Sequence, residues 1–359
     1  MVDYATVFER VRGSLLGGAV GDALGWPIEF LKLEQIRGRH GESGVTGFVP
    51  QANQGAPQEI TDDTQMTLFT AEGLLRSPAG ADPVLALRRA YLRWLQTQQG
   101  GGPADHSDGW LASLPFMYAS RAPGNACMSG LARQAREFHP PEPFGAEGPV
   151  NPHSKGCGTV MRSAPFGLAG MGADQAFVTA ARAAQLTHGH PTGYIAAGAF
   201  AAILDRVVSG IELPIAVRET IAQLARIPSS EETATALTRA VELAEEPPTA
   251  EQVEHVGAGW IAEECLAIAV YSALHSAKSG DTRAALLLSV NHSGDSDSTG
   301  AVAGNLIGAV HGVSALPMDL VSTVEGRDVL IQVADDLVMH FGVGDRSGLE
   351  ARYPVDENV

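Results

Sequence analysis

Two short acidic clusters stand far apart in the chain, Thr61-Asp62-Asp63-Thr64 and Asp295-Ser296-Asp297-Ser298-Thr299-Gly300. Each interleaves carboxylates with hydroxyls, and neither contains a lysine or arginine. Four carboxylates gathered in one place repel one another and bind protons more tightly unless a cation sits among them. Hard divalent cations take this donor set of carboxylate, hydroxyl and water oxygens. If the fold joins the two clusters, they make a two-metal site of the Mg2+ or Mn2+ kind. Each cluster also reads as a helix start. Thr61 or Asp62, and Ser293 or Asp295, are candidate N-caps, and Asp63 falls in a first turn facing the positive end of the helix dipole.

Three further segments carry possible chemistry. Glu29 follows Trp26-Pro27-Ile28 among apolar neighbours, a setting that raises a carboxyl pKa toward the range useful for proton transfer. Ser154-Lys155-Gly156-Cys157-Gly158-Thr159-Val160-Met161-Arg162 is glycine-rich and opens an apolar stretch. Its backbone N–H groups can cradle a diphosphate, or the segment can be a tight turn and cap. Thr187-His188-Gly189-His190-Pro191 lies between two expected helices. Trp110 reads as a packing residue, with stacking on a substrate as the alternative.

The elements that must position these residues are helical. Apolar residues recur at helix spacing, and no βα rhythm is visible. Phe8, Val11, Leu15 and Leu16 share one face of a first helix ending near Asp22. A second begins at the first acidic cluster, with Met66, Phe69, Thr70 and Gly73 on one face. A third runs from Pro83 to about Gln98, with Leu85, Leu92 and Leu95 inside and the arginines outside. Others are expected over 127–138, 174–187, 192–208, 213–226, 231–245, 258–278, 281–291, 297–311 and 326–341. Residues 99–109 and 139–156 read as loops, the kind of long connection that often carries binding contacts. The expectation is an all-α, single compact domain over 1–359.

Composition narrows the function. The 359 residues are 45% hydrophobic and 18% charged, suited to a packed globule. A formal net charge of −17 and a pI near 5.0 disfavour general nucleic-acid or membrane-surface binding, which use basic patches. Cys127, Cys157 and Cys265 lack CxxC spacing, against a disulfide framework or zinc site. The charged N-terminal residues do not read as a signal peptide, and Ile195–Leu204 is too short an apolar run to span a bilayer. A cytoplasmic location is the default expectation.

Rival motifs fail on single positions. Asp295-x-Asp297-x-Thr299-Gly300 starts like an EF-hand loop, but its twelfth position is Leu306 where a bidentate glutamate is needed. The Asp-x-Asp-x-Thr pattern of haloacid-dehalogenase-like phosphatases requires a preceding buried strand, and His292-Ser293-Gly294 stands there. The first cluster is not an Asp-Asp-x-x-Asp prenyl-diphosphate motif, since Met66 holds the last place.

The ordered set Gly21-Asp22-Ala23-Leu24-Gly25 with Glu29, Thr61–Thr64, Ser154–Arg162, Thr187-His188 and Gly294–Ala301 resembles the ADP-ribosylglycohydrolase family. The resemblance covers essentially the whole chain. It implies an all-α domain with a central binuclear centre of two divalent cations, Mg2+ or Mn2+. Thr61, Asp62 and Asp63 would ligate from one side, and Asp295, Asp297 and Ser298 from the other. Family members often have threonine where Ser298 stands, so neighbouring Thr299 is the fallback. Glu29 matches a loop glutamate near the scissile bond, and Asp297 can share the proton-transfer role. Asp22, Ser154, Gly156, Cys157, Gly158 and His188 match substrate-binding positions. Cys157 departs from members that carry asparagine there, and reads as a small apolar filler.

The resemblance further implies hydrolysis at the anomeric carbon of an ADP-ribosyl group, on a protein or small molecule, with nucleic acid entering only as an ADP-ribosylated substrate. Two alternatives remain: a non-catalytic ADP-ribose or nucleotide binder on the same scaffold, and a two-metal diphosphate hydrolase. The loops at 99–110 and 139–156 are the expected selectors of the leaving group.

Overall fold

Six of the described α-helices start where a side chain accepts from an otherwise unpaired backbone N–H. The computed structural model describes residues 3–50, 55–104 and 108–356. Asp3 caps α1 (Tyr4–Gly25) by accepting from Ala5 N. Then come α2 (Leu33–His40), α3 (Asp62–Leu75), capped by Thr61, and α4 (Val84–Gln99). After a long connection come α5 (Asn125–Arg136), α6 (Ala164–Leu168), α7 (Ala173–Ala184) and α8 (Pro191–Val208), with His190 capping α8. The series continues with α9 (Leu213–Leu224), α10 (Glu231–Leu243), α11 (Ala250–Val256), α12 (Ala262–Ser279) and α13 (Thr282–Val290). α14 (Ser296–His311), α15 (Met318–Val321) and α16 (Arg327–Leu337) complete it. Among the described residues there is no β-strand, only two isolated bridges. The expected all-α class holds, and the helices form one compact domain around α3, α8, α12 and α14.

Four helices escaped the periodicity argument. α2 buries only Leu33 and Ile36, so it offers no apolar stripe to read. α6 and α15 are five and four residues long, too short to show a period. α11 is a further addition between 245 and 258.

Two helices differ from their expected faces. All fourteen residues of α3 are buried, so no stripe distinguishes Met66, Phe69, Thr70 and Gly73 from the rest. On α4, Leu85 and Leu92 are only half-buried, whereas Arg93 turns inward. Arg93 Nε lies 2.9 Å from the Oε2 of Glu72, a fully buried residue of α3. A buried carboxylate without a partner is strongly unfavourable, so the helix face follows the ion pair rather than the leucines.

The feature that positions the site is the antiparallel packing of α1 on α14. Gly13, Gly17, Gly21 and Gly25 recur every four residues on one face of α1. They lie against Gly308, Gly304, Gly300 and Ser296 of α14 in that order, so closely that a Cβ at any of the four would overlap the facing carbonyl oxygen. Small residues at this spacing let two helix backbones touch. Glycine in a helix interior costs roughly 0.5–1 kcal/mol relative to alanine, so the run is retained for close approach. The register sets the C-terminal end of α1, and Glu29 beyond it, beside the N-terminal end of α14.

Candidate metal and active site

Both acidic clusters are helix starts, and both face one cavity. Thr61 Oγ1 accepts from Asp63 N (3.3 Å), leaving Asp62 and Asp63 in the first turn of α3. Asp295 caps α14 by accepting from Ser298 N (3.3 Å), with Asp297 in its first turn. The cap reading holds at both, and capping fixes the direction in which the remaining carboxylates project, toward the shared cavity. Gly294, at φ +150°, lies against the carbonyl of Ala258, and Asp295 N donates to that same oxygen (2.9 Å). Any side chain at 294 would displace this turn and the cap that follows.

The shared cavity, about 300 Å3, is lined by Glu29, Asp62, Asp63, Asp295, Asp297 and Ser298, and by Ser154, Gly156, Cys157, Gly158 and His188. Oxygens of Glu29, Asp295 and Asp297 lie within 4.8 Å of one another. Glu29 reaches them because it ends a 3-10 turn over Trp26–Ile28, held by Glu29 N donating to Gly25 O (2.9 Å).

The electrostatics are those of a site lacking positive charge. Burial, then Asp295 and Asp62, push Glu29 up to about 8. Burial likewise raises Asp62 to about 8, and burial with neighbouring carboxylates drives Asp63 and Asp297 well above the ordinary range. Asp295 is raised by burial and pulled back by hydrogen bonds from Cys157 and Ser298. No lysine or arginine is among the leading causes of these shifts or among the residues lining the cavity. Asp63 Oδ2 and Glu29 Oε2 are buried without a hydrogen-bond partner. Orphaned carboxylate oxygens around an oxygen-rich cavity fit a divalent cation.

Two expected site residues lie beneath the cavity instead. Asp22 is fully buried and accepts from Thr61 N (3.0 Å), Thr64 N (3.3 Å) and Thr64 Oγ1 (2.5 Å). Its oxygens accept from the first turn of α3, and it does not line the cavity. Burial raises its pKa to about 6, against the pull of Thr64 and Thr61. Thr61 is also fully buried, its hydroxyl turned to the cap.

Ser298 and Thr299 differ in their partners. Thr299 Oγ1 lies 2.8 Å from each of the backbone oxygens of Ser289 and Asp295, one of which takes its single proton, and 2.8 Å from His292 Nε2. Ser298 lines the cavity, and Thr299 does not.

The glycine-rich turn and the histidine meet on the opposite wall. An added Cβ at Gly158 would lie 2.8 Å from Cys127 Sγ and 3.1 Å from His188 Cε1, so glycine is needed for the two walls to close. Arg162 Nη2 donates to Thr187 Oγ1 (2.7 Å), which pairs with His188 Nδ1 (2.8 Å) and fixes the ring. Burial, reinforced by Arg162, lowers His188 to about 3, so it is neutral and offers hydrogen bonding rather than charge. The second histidine of that segment, His190, only caps α8, its Nδ1 accepting from Thr192 N (3.2 Å).

Cys157 is placed differently from its expected role. Its N–H is taken by Trp260 O (3.2 Å), and its thiol donates to Asp295 Oδ2 (2.8 Å), at the acidic end of the cavity. It lines the cavity with a hydrogen-bonded thiol and is not an apolar filler.

The cavity also holds residues outside the anticipated segments. Ala122–Cys127, at the start of α5, forms one wall, and Gly124 N donates to Asp62 Oδ2 (3.3 Å). Phe30 and Trp260 stack at the rim with ring centroids 5.3 Å apart. The Pro123-Gly124 turn before an amphipathic run was the available signal for the first; nothing local marks Trp260. Trp110 packs edge-on against Tyr353 (6.1 Å) and lies away from the cavity. Of the two loops, 139–156 supplies Ser154 and Gly156. The described part of 99–110 supplies no cavity residue and instead ties Asp108 to Arg76 (3.0 Å) and Arg93 (3.3 Å); residues 105–107 lie outside the described residues. No described helix is long and apolar enough to cross a membrane.

Comparison with known proteins places this architecture among relatives. Residues 3–346 match the ADP-ribosylglycohydrolase family. The chain is 27% identical over 327 residues to an ADP-ribosyl-[dinitrogen reductase] glycohydrolase of Rhodospirillum rubrum, covering 89% of this chain and 92% of the relative. It is 26% identical over 330 residues to the ADP-ribosylarginine hydrolase Tri1 of Pseudomonas putida (strain GB-1), covering 92% and 78% respectively. A solved ADP-ribosylglycohydrolase-related protein complex contains a chain that superposes with a TM-score of 0.61 at 25% identity, covering 93% of this chain and 98% of that one.

Proposed function

The chain belongs to the ADP-ribosylglycohydrolase family, and on that premise we propose that it hydrolyses the N- or O-glycosidic bond at the anomeric ribose carbon of an ADP-ribosylated protein or small molecule, releasing ADP-ribose. The observation that carries this reading is the burial of Asp62, Asp63, Asp295 and Asp297, with half-buried Glu29, around one cavity, with two orphaned carboxylate oxygens and no cationic side chain among them. A non-catalytic binder has no use for so costly a cluster.

Asp62, Asp63, Asp295, Asp297 and Ser298, beside the cap at Thr61, would hold two divalent cations, Mg2+ or Mn2+. Bound there, such ions supply Lewis-acid polarisation and the missing positive charge.

The chain's own groups do the rest. Gly156, Gly158 and Ser154 present polar backbone and hydroxyl groups to the diphosphate, and neutral His188 hydrogen-bonds the ribose. Burial, then Asp295 and Asp62, push Glu29 up to about 8 in the metal-free chain; cations on those carboxylates would weaken their share and leave burial to hold the proton. Glu29 can give that proton to the leaving nitrogen or oxygen as the glycosidic bond breaks, and as a carboxylate it can stabilise the oxocarbenium-like transition state. Asp297, next to Glu29, shares the proton-transfer role.

The test is release of free ADP-ribose from arginine-linked, serine-linked and nucleic-acid-linked substrates and O-acetyl-ADP-ribose, with and without Mg2+ or Mn2+. Metal-dependent release from one of them supports the reading and names the leaving group. AMP with ribose phosphate as products supports the diphosphate hydrolase instead, and tight ADP-ribose binding without turnover supports the binder.

A further inference from the structure

Cys157 brings a soft donor into a site of hard oxygens. Its Sγ lies 2.8 Å from Asp295 Oδ2 and 3.6 Å from Ser298 Oγ, between two side chains assigned above to cation binding. Two donors in tetrahedral positions on one ion, at ordinary zinc–sulfur and zinc–oxygen bond lengths, lie roughly 3.5 Å apart. The 3.6 Å between Cys157 Sγ and Ser298 Oγ is the spacing of co-ligands, and the hydrogen bond at 2.8 Å places the thiol beside Asp295 as well. An independent observation points to a ligand in the same cavity: Asp63 is 2% exposed, lines the cavity, and its Oδ2 has no partner.

The other cysteines do not share this placement. Cys127 Sγ is met by the Arg162 guanidinium at 3.3 Å, a cationic neighbour that opposes metal, and Cys265 is fully buried and does not line the cavity.

We propose that Cys157 is a thiolate ligand on the Asp295 side of the site, so that this chain takes a thiophilic divalent cation such as Co2+, Zn2+ or Cd2+ more tightly than Mg2+. Thiolate favours such ions, whereas an all-oxygen site suits Mg2+ and Mn2+. On binding, the sulfur–metal bond forms and the thiol proton leaves to solvent. The inference rests on the reading of the acidic cavity as a cation site.

The experiment is a Co2+ titration of the metal-free full chain followed by absorption. In the unmodified protein a near-ultraviolet thiolate-to-cobalt charge-transfer band should grow and saturate together with the visible d–d bands. In Cys157→Ser and Cys157→Asn that band should be missing and Co2+ affinity should fall on the order of 10–100-fold, with Mg2+ affinity retained. A second measurement needs no variant: alkylation of Cys157 by iodoacetamide, mapped on peptides, should slow with Co2+ and not with Mg2+. Visible bands without the near-ultraviolet band, or the same band in both variants, would overturn the role of Cys157 and leave the cation site standing. Absence of binding by either Co2+ or Mg2+ would overturn both.

Discussion

Gly21 of α1 and Gly300 of α14 meet backbone to backbone, each so close that a Cβ on it would overlap the carbonyl oxygen of the other. One helical turn beyond this contact, Gly25 lies against Ser296, and the carboxylates of Glu29, Asp295 and Asp297 converge. The contact aligns two segments that are remote in sequence.

A methyl group inserted in this packing should be felt throughout the fold. Gly304→Ala places a Cβ inside the carbonyl of Gly17, and is expected to cost about 1–3 kcal/mol of stability in urea denaturation. Gly38→Ala, on α2, meets nothing within 4 Å and should be neutral or stabilising by roughly 0.5–1 kcal/mol. Equal losses in the two variants would refute the close-packing argument.

Glu29→Gln should separate catalysis from cation binding. The amide preserves shape but can neither donate the carboxyl proton nor stabilise positive charge as a carboxylate. Turnover should drop on the order of 10²–10⁴-fold, while calorimetric Mg2+ or Mn2+ binding survives. An active Glu29→Gln enzyme removes the assignment.

Asp297→Asn should act in the opposite sense on stability and on binding. Asp297 is held well above the usual carboxylate range by burial and then by Asp63, Asp295 and Glu29. Neutralising it relieves that repulsion, so the metal-free variant should melt no lower than the parent. The parent should gain about 2.7 kcal/mol from a cation at a hundred times its dissociation constant, and the variant should lose most of this gain along with turnover. A variant still stabilised by Mg2+ or Mn2+ as the parent is would exclude Asp297 as a ligand.

Above pH 7 the metal-free protein should lose stability as pH rises. Glu29 and Asp62 are raised to about 8 in the folded chain from 4.5 and 3.8, so the folded state binds more protons than the unfolded one across that interval. Their contribution is complete below about pH 4 and disappears as pH passes through 8. Buried His188 and His292, lowered to about 3 and about 4, contribute with the opposite sign, but that contribution is already complete above 6.5. Melting temperatures from pH 7 to 9 should therefore fall without metal and level off with saturating Mg2+ or Mn2+. A flat metal-free profile would show that the cluster does not hold protons as described.

Much of the site was legible because its chemistry is local. Carboxylates beside hydroxyls at a helix start announce a cap within four to six residues, and Thr61–Thr64 and Asp295–Gly300 prove to be caps whose carboxylates line one cavity. The Gly156–Gly158 turn and His188 were legible for the same reason. Where the outcome depended on partners far along the chain, residue type misled. Asp22 sits in a conspicuous glycine-rich segment, yet its carboxylate is spent on Thr61 and Thr64. Cys157 looked like filler until Asp295 stood beside it. The 99–110 loop drew attention by composition, while the cavity took Trp260 and Phe30; Trp110 packs against Tyr353, the packing role expected of it.

By itself the sequence determined the helical class, the helix starts, and the donor atoms available for a cation, since each depends on hydrogen bonds and spacing within a few residues. Tertiary structure alone decided that the donors meet, that Ser298 rather than Thr299 faces the cavity, and that a thiol joins them. Those outcomes hang on the register of α1 against α14, and a register between helices 270 residues apart is set by which glycines interlock, a pairing no local pattern contains.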